Sequence, residues 1–192
     1  MDLTVVQAQS DMRRGYYSGA AGILASALAW AVAAGTAALV SPQKAIWVLL
    51  VGGALIHPVG LLFCRMLGAP GSHAKGNPLG LLAGASTFWL IFCLPLAYGL
   101  GLQEPAWFFA AMLLIIGGRY LVFATLFGMR LYWALGLALA AAGFMLAWLG
   151  QPAVVIVTAG AAIEAVFGGA AVAGHRRWQV QAALHGAGDG NA

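Results

Sequence analysis

AWFFAAMLLIIGGRYLVFATLFG, residues 106–128, contains a single charged side chain, Arg119. At 1.5 Å per residue, a helix of this length crosses the roughly 30 Å hydrocarbon core of a bilayer. Apolar and polar residues do not alternate along the stretch, so a membrane-spanning strand is not indicated. The stretch therefore predicts a transmembrane helix.

Five further apolar runs of similar length lie on both sides of this stretch, separated by breaks that contain glycine, proline or polar residues. We predict an all-α polytopic membrane bundle of six transmembrane helices arranged as three hairpins. The predicted spans are about 18–40, 44–67, 78–101, 106–128, 131–149 and 153–174 within a membrane domain 18–174, with 1–17 as a cytoplasmic N-terminal segment and 175–192 as a cytoplasmic tail.

The composition excludes a soluble domain. Of the 192 residues, 62% are hydrophobic and 7% are charged, against roughly 45–50% and about 25% in soluble proteins. The net charge of +4 comes from basic residues spread singly or in pairs, so no nucleic-acid partner is predicted. Cys64 and Cys93 lie apart within apolar runs, and we predict neither a metal site nor a cofactor.

The lysines and arginines of the loops predict the orientation. With the N-terminus inside, one basic loop residue, Lys44, lies outside, and Arg119 is not counted because it lies within a span. The inner side then holds Arg13, Arg14, Arg65, Lys75, Arg130, Arg176 and Arg177. The positive-inside rule therefore favours a bundle with both ends in the cytoplasm and the lipid bilayer as its surroundings.

Three ionisable residues, His57, Arg119 and Glu164, lie deep within the predicted spans. Each follows the predicted outer end of its helix by 12 or 13 residues, so the three share a depth of about 18–20 Å. Burial of such groups in lipid is unfavourable by roughly 3 kcal/mol or more, which makes them candidates for binding a substrate or ion. The alternatives are a structural pair of Arg119 with Glu164, an arginine that snorkels to the headgroups, and a neutral core histidine.

Other residues near this depth complete the candidate site. Tyr120 adjoins Arg119, while Ser86 and Thr87 lie at a similar depth on the third span. Ser86 is a candidate nucleophile only if His57 acts as its base; hydroxyls in membrane helices more often bond their own backbone. Pro58 and Pro95 lie within spans and are predicted to kink them.

Small residues recur at three- and four-residue steps in two spans. The first stripe consists of Gly15, Gly19, Gly22 and Ser26, and the second of Gly160, Glu164 and Gly168. Close contact through small side chains holds helices together in lipid. The stripes therefore predict helix faces that pack against protein, with a dimer interface as the alternative.

Three segments resemble an uncharacterised family of small multi-span bacterial membrane proteins. They are HPVGLLFCRMLGAPG (57–71), KGNPL (75–79) and GGRYLVFATLFGMRLYW (117–133), and the resemblance extends from about Tyr16 to Trp148. It implies a multi-pass protein of the bacterial inner membrane. It implies no activity, and we transfer no catalytic residue from it.

The function we favour from the sequence is a transporter or channel-like carrier of a small solute or ion, with a homo-oligomer as one arrangement. In it, Glu164 binds a proton or cation, Arg119 sets its charge state or binds an anionic substrate, and His57 relays protons. One alternative is a membrane-embedded enzyme acting on a lipid, with His57 and Ser86 as base and nucleophile; we favour it less. The other is a non-catalytic membrane subunit or assembly factor, in which the charged residues only specify helix packing.

Overall fold

A computed structural model describes residues 3–188, except for the side chains of Ala183 and residues 185–188. Within this range the chain forms seven α-helices and one short 3-10 turn, Tyr17–Gly19, and no strand. The helices are α1 (Val5–Gly15), α2 (Ala20–Leu39), α3 (Pro42–Met66), α4 (Leu79–Gln103), α5 (Pro105–Phe127), α6 (Leu131–Trp148) and α7 (Ala153–Gly188). The predicted all-helical fold is confirmed.

Six of these helices, α2 to α7, are long and apolar enough to cross a membrane. The protein is therefore a multi-pass membrane protein. The last helix continues well beyond the predicted sixth span and reaches Gly188. The residues after Gly174 include alanine, glutamine, arginine and leucine, which are good helix formers, and no proline interrupts them. Residues 189–192 of the predicted tail lie outside the described part.

The helix α1 closes one end of the bundle, and we call this end the α1 end. Thr4 caps α1 in a reciprocal capping box with Gln7. The Gln9 side chain donates a hydrogen bond to the carbonyl oxygen of Thr125, and Arg13 donates to those of Phe127 and Gly128. These carbonyls belong to the last turn of α5, which has no further helical donors for them. Polar side chains of α1 therefore complete the end of a spanning helix.

The loop between α3 and α4 is also attached to α1. Asp11 accepts hydrogen bonds from the backbone N–H of Ala74 and from the amide of Asn77, at 2.9 and 2.7 Å. The amide of Asn77 also donates to the carbonyl oxygen of Ala8. The hydroxyl of Tyr16 lies 2.9 Å from Nδ1 of His73. The predicted N-terminal segment is thus an ordered helix that organises the loops at this end.

The chain turns sharply between α1 and α2. Tyr17, Ser18 and Gly19 all have positive φ angles, of 52, 54 and 79°. Two consecutive non-glycine residues in this region are strained by roughly 1–2 kcal/mol each. Buried contacts hold the turn: the Ser18 hydroxyl lies 2.7 Å from Nδ1 of His175, and the Tyr132 hydroxyl donates to the Ser18 carbonyl oxygen. The turn lets α1 lie across the bundle instead of prolonging α2.

Glycines set the closest helix contacts. A Cβ atom on Gly117 of α5 would lie 2.6 Å from the carbonyl oxygen of Gly136 on α6, and one on Gly143 would lie 2.8 Å from that of Ala110. The pair α5 and α6 is accordingly among the most extensively packed, together with α2–α3 and α2–α7. The contact between α6 and α7, the third predicted hairpin, is smaller.

The stripe on α7 packs as its spacing predicts. Added Cβ atoms would meet Trp30 at Gly160 and Leu24 at Gly168, both on α2. By contrast, α4 lies at the periphery. Within its most apolar stretch of 18 residues 6% are buried, compared with 56% in the corresponding stretch of α5. The protein core is therefore built by α2, α5, α6 and α7.

The adjacent glycines of α5 give a matched test of this packing. Gly117→Ala should lower the free energy of unfolding by about 1–3 kcal/mol, because its methyl group would collide with the α6 backbone. Gly118→Ala should leave it unchanged or raise it, because nothing lies within 4 Å of a Cβ there and alanine favours helix. Thermal unfolding in detergent is the measurement. Equal effects of the two substitutions would contradict the α5–α6 contact.

Candidate functional site

The carboxyl group of Glu164 lies at the junction of α2, α5 and α7. Its side chain is 0% exposed. Gly160 and Gly168, one turn to either side, bring α2 against α7 and shut Glu164 off from the surroundings. The residue that the sequence places at mid-span is thus directed into the protein and not toward lipid.

One oxygen of this carboxyl group is bonded and the other is not. The Tyr120 hydroxyl of α5 donates a hydrogen bond to Oε1 at 3.0 Å. Ser26 of α2 also approaches the carboxyl group, while Oε2 has no hydrogen-bond partner. Buried polar atoms are nearly always paired. An unpaired carboxylate oxygen at this depth therefore marks a place where a proton or ligand can bind.

A second unpaired polar atom lies in the same interface. Trp30 is fully buried on α2, one turn from Ser26, and its ring packs on Gly160 of α7. Its indole Nε1 has no hydrogen-bond acceptor. An orphaned donor and an orphaned acceptor thus occupy neighbouring turns of the α2–α7 interface. The sequence did not identify Trp30 or Ser26 as site residues. Their four-residue spacing places both on the small-residue face of α2, and this spacing is the signal that could have identified them.

Arg119 lies beside Tyr120 on α5 but points away from Glu164. Its Nη2 donates to Oγ1 of Thr87 on α4 at 2.9 Å, and its guanidinium carbon lies 5.1 Å from the centroid of the Phe123 ring. Its Nε is buried without a partner. Across the described residues, no carboxylate oxygen lies within the 4.0 Å ion-pair distance of the guanidinium. The two groups attract each other only at longer range.

The helices α3, α4 and α5 pack together at the end opposite α1. Gly101 of α4 lies between Phe108 of α5 and Ile46 of α3. The rings of Trp47 and Tyr98 join α3 to α4 nearby, with centroids 5.5 Å apart. Apart from these contacts α3 and α4 scarcely touch.

Nearer the α1 end the same helix faces carry polar residues. Residues eleven positions apart share a face of an α-helix. His57 follows Ile46 by eleven residues, and Arg119 follows Phe108 by eleven. His57 and Thr87 are exposed here, and few contacts join α3 to α4. We call this weakly packed region the α3–α4 cleft and define it by His57, Thr87 and Arg119.

The remaining candidates are not brought together. His57 makes no hydrogen bond to any described residue, so it does not reach Glu164. Ser86 is buried and donates its hydroxyl to the Ala83 carbonyl oxygen of its own helix at 2.8 Å, which leaves it without a base. Pro58 and Pro95 lie inside continuous helices, so neither proline ends its helix.

An apolar groove lies elsewhere on the bundle. It has a volume of about 460 Å³ and runs between α2 and α3, where Leu28, Trp47 and Leu55 are among its lining residues. None of the candidate polar residues lines it. The candidate polar residues lie instead at the Glu164 junction and in the α3–α4 cleft, which are joined through the consecutive residues Arg119 and Tyr120.

Comparison with known proteins adds one finding. The sequence profile of a family of unknown function, DUF7010, matches residues 5–173, which include all six spanning helices up to the last turns of α7. Neither the curated proteins nor the solved structures contain a significant match.

The bond between Tyr120 and Glu164 can be tested through stability. Tyr120→Phe should lower the free energy of unfolding by about 1–3 kcal/mol, because the buried Oε1 of Glu164 would lose the hydroxyl that bonds it. Tyr98→Phe is the control, since the Tyr98 ring packs on Trp47 and its hydroxyl makes no bond to a described residue. Thermal unfolding in detergent compares the two. Equal losses would show that the hydroxyl of Tyr120 contributes nothing.

Proposed function

Because the chain belongs to the DUF7010 family of unknown function, we propose a function from the polar geometry of the bundle. The protein is a carrier of a small solute or ion across the bacterial inner membrane. Glu164 is its proton-binding group, and the α3–α4 cleft is its solute site. The observation that carries the proposal is the fully buried Glu164 carboxyl group with one oxygen bonded to Tyr120 and the other free.

The energetics favour a functional role for Glu164. An ionisable side chain in the middle of a membrane helix is unfavourable, and such residues usually mark ion pathways or proton relays. A purely structural residue would be expected to satisfy both carboxyl oxygens, as buried networks do. Here, by contrast, Oε2 of Glu164 and Nε1 of Trp30 are both buried without a hydrogen-bond partner.

The donor set around Glu164 suits a proton better than a metal cation. Its oxygen neighbours are the hydroxyls of Tyr120 and Ser26. Calcium takes six to eight oxygen ligands and magnesium takes six. Among the described residues, no three His, Cys, Asp or Glu side chains cluster closely enough to hold a metal. Protonation of one carboxylate needs no further ligand.

The order of residues on α5 couples the two sites. Tyr120 bonds Glu164 in the interior, and the preceding residue, Arg119, faces the α3–α4 cleft. A change in the charge of Glu164 therefore acts on Arg119 through long-range electrostatic attraction and not through a direct contact. In the body of the bundle α4 packs mainly on α5, so we assign α4 as the element that moves when the cleft opens and closes.

A lipid-directed enzyme receives less support from the geometry. Ser86 bonds its own helix, and His57 lies exposed on α3. A non-catalytic subunit is the remaining alternative, and the flux experiment below distinguishes it from a carrier.

The carrier proposal predicts proton flux that depends on Glu164. Purified protein in liposomes loaded with a pH-sensitive dye should acidify the lumen when an inward pH gradient is imposed with a panel of small solutes. Glu164→Gln should reduce the solute-dependent signal to that of empty liposomes, because the amide keeps the shape but cannot exchange a proton.

Glu104→Gln is the matched control, since Glu104 is exposed in the turn between α4 and α5. It should leave the flux unchanged. Solute-dependent flux that survives Glu164→Gln would remove Glu164 from the mechanism. Absence of flux with every solute, in liposomes that contain folded protein, would favour the subunit alternative.

We also propose that both ends of the chain lie in the cytoplasm, as the loop charges indicate. The two native cysteines would be replaced by alanine, and single cysteines introduced at the exposed positions Gln103 and Lys75. In intact bacterial cells a membrane-impermeant maleimide should label the cysteine at Gln103 and not the one at Lys75. The reverse pattern would contradict the orientation.

A further inference from the structure

The α3–α4 cleft also indicates what kind of solute the protein carries. We infer that it binds a small oxyanion, such as a carboxylate or phosphate, through the guanidinium group of Arg119. This inference deepens the proposed function and rests on it. It comes from the charge, the position and the free hydrogen-bonding capacity of Arg119.

The first observation is a positive charge without a counter-ion. Arg119 is half-buried in a membrane-spanning helix. Glu164 is bonded to Tyr120 and does not contact Arg119. Intramembrane charges are normally paired or directed to a site where they meet a charged ligand. A bound anion would supply the missing partner.

The second observation is the position of the guanidinium group. Arg119 and Thr87 each lie eight residues from the α1 end of their helices, which is about 12 Å. Because Nη2 bonds Thr87 at the same depth, the side chain extends sideways into the cleft. A snorkelling arginine would instead extend toward the headgroups at the end of its helix. The geometry therefore favours a dissolved anion over a lipid phosphate.

The third observation is the unused donor capacity. The Nε of Arg119 is buried with no acceptor, and the Thr87 hydroxyl is already committed, since it also donates to the Ala83 carbonyl oxygen. The planar guanidinium presents pairs of N–H groups that match the two oxygens of a carboxylate or phosphate. Phe123 lies beside the same group and stabilises the cation by a cation–π contact. The guanidinium group is thus held in position and keeps one N–H donor without an acceptor.

The charges then balance for joint transport. A monovalent oxyanion at Arg119 brings one negative charge, and a proton at Glu164 brings one positive charge. Movement of both together transfers no net charge across the membrane. Because Arg119 and Glu164 are linked through the adjacent residues of α5, protonation of one site favours retention of the anion at the other.

Anion binding can be measured without transport. The detergent-purified protein would be heated in sodium phosphate or sodium lactate, with sodium chloride at equal ionic strength as the reference. Either oxyanion should raise the unfolding temperature of the wild-type protein in a saturable manner. Arg119→Gln should abolish this rise in unfolding temperature. Arg119→Lys keeps the charge but loses the paired N–H donors of the planar guanidinium, so it should weaken oxyanion binding by about tenfold.

The controls separate the possible outcomes. Arg65→Gln, at an exposed arginine near the α1 end of α3, should keep the stabilisation. Saturable stabilisation that survives Arg119→Gln, or no stabilisation by either oxyanion, would overturn the inference. Stabilisation by phosphatidylglycerol but not by free oxyanions, lost in Arg119→Gln, would identify a lipid headgroup site and also overturn it.

Glu164→Gln distinguishes a failure of this inference from a failure of the proposed function. Anion binding at Arg119 should persist in that variant, since Arg119 does not contact Glu164. Glu164-dependent flux of a cation without oxyanion binding would retain the carrier and reject the solute class. Oxyanion binding without flux in any variant would retain the site and reject the carrier.

Discussion

The close approach of helix backbones in lipid is the constraint on which the rest of this bundle depends. Apolar side chains gain nothing by leaving lipid for protein, so α2, α5, α6 and α7 are held by contacts that only small residues allow. Gly117 and Gly136 let α5 meet α6, and Gly160 and Gly168 let α7 meet α2. These contacts enclose the carboxyl group of Glu164 in the protein interior.

That interior gives α5 two functions at once. Its face toward α7 presents Tyr120 to Glu164, and its face toward α4 presents Arg119 to Thr87. Consecutive residues of a helix point about 100° apart, so one position along α5 serves an enclosed site and an open one. In the proposed carrier, the proton site and the solute site would be connected over the length of a single peptide unit.

Much of this could be read from the sequence, and the reason is the strength of the hydropathy signal. Runs of about twenty apolar residues predict spanning helices with few alternatives, and the stripe around Glu164 predicted a packed face. Counting along each helix also predicts a common depth for His57, Arg119 and Glu164, but it does not predict the direction of each side chain. The structure directs Glu164 to the interior and leaves His57 exposed on α3.

The polar partners were less predictable than the charged residues. Tyr120 was a candidate only through its position beside Arg119, and its bond to Glu164 depends on how α5 rotates against α7. The role of α1 was not predicted because a polar eleven-residue segment has no span-length signal. Its hydrogen bonds to the end of α5 and to the α3–α4 loop depend on pairs of residues far apart in the chain.

The long sequence separations between α1 and its partners limit when these contacts can form during synthesis. Arg13 bonds a carbonyl 114 residues later, and Ser18 bonds a histidine 157 residues later. The helix α1 is synthesised before its partners on α5 and α7, so these long-range contacts form only after those helices have been made. The strained turn at Tyr17–Gly19 gains its contacts with Tyr132 and His175 only then. The contacts of the α1 end are therefore complete only when the sixth spanning helix is in place.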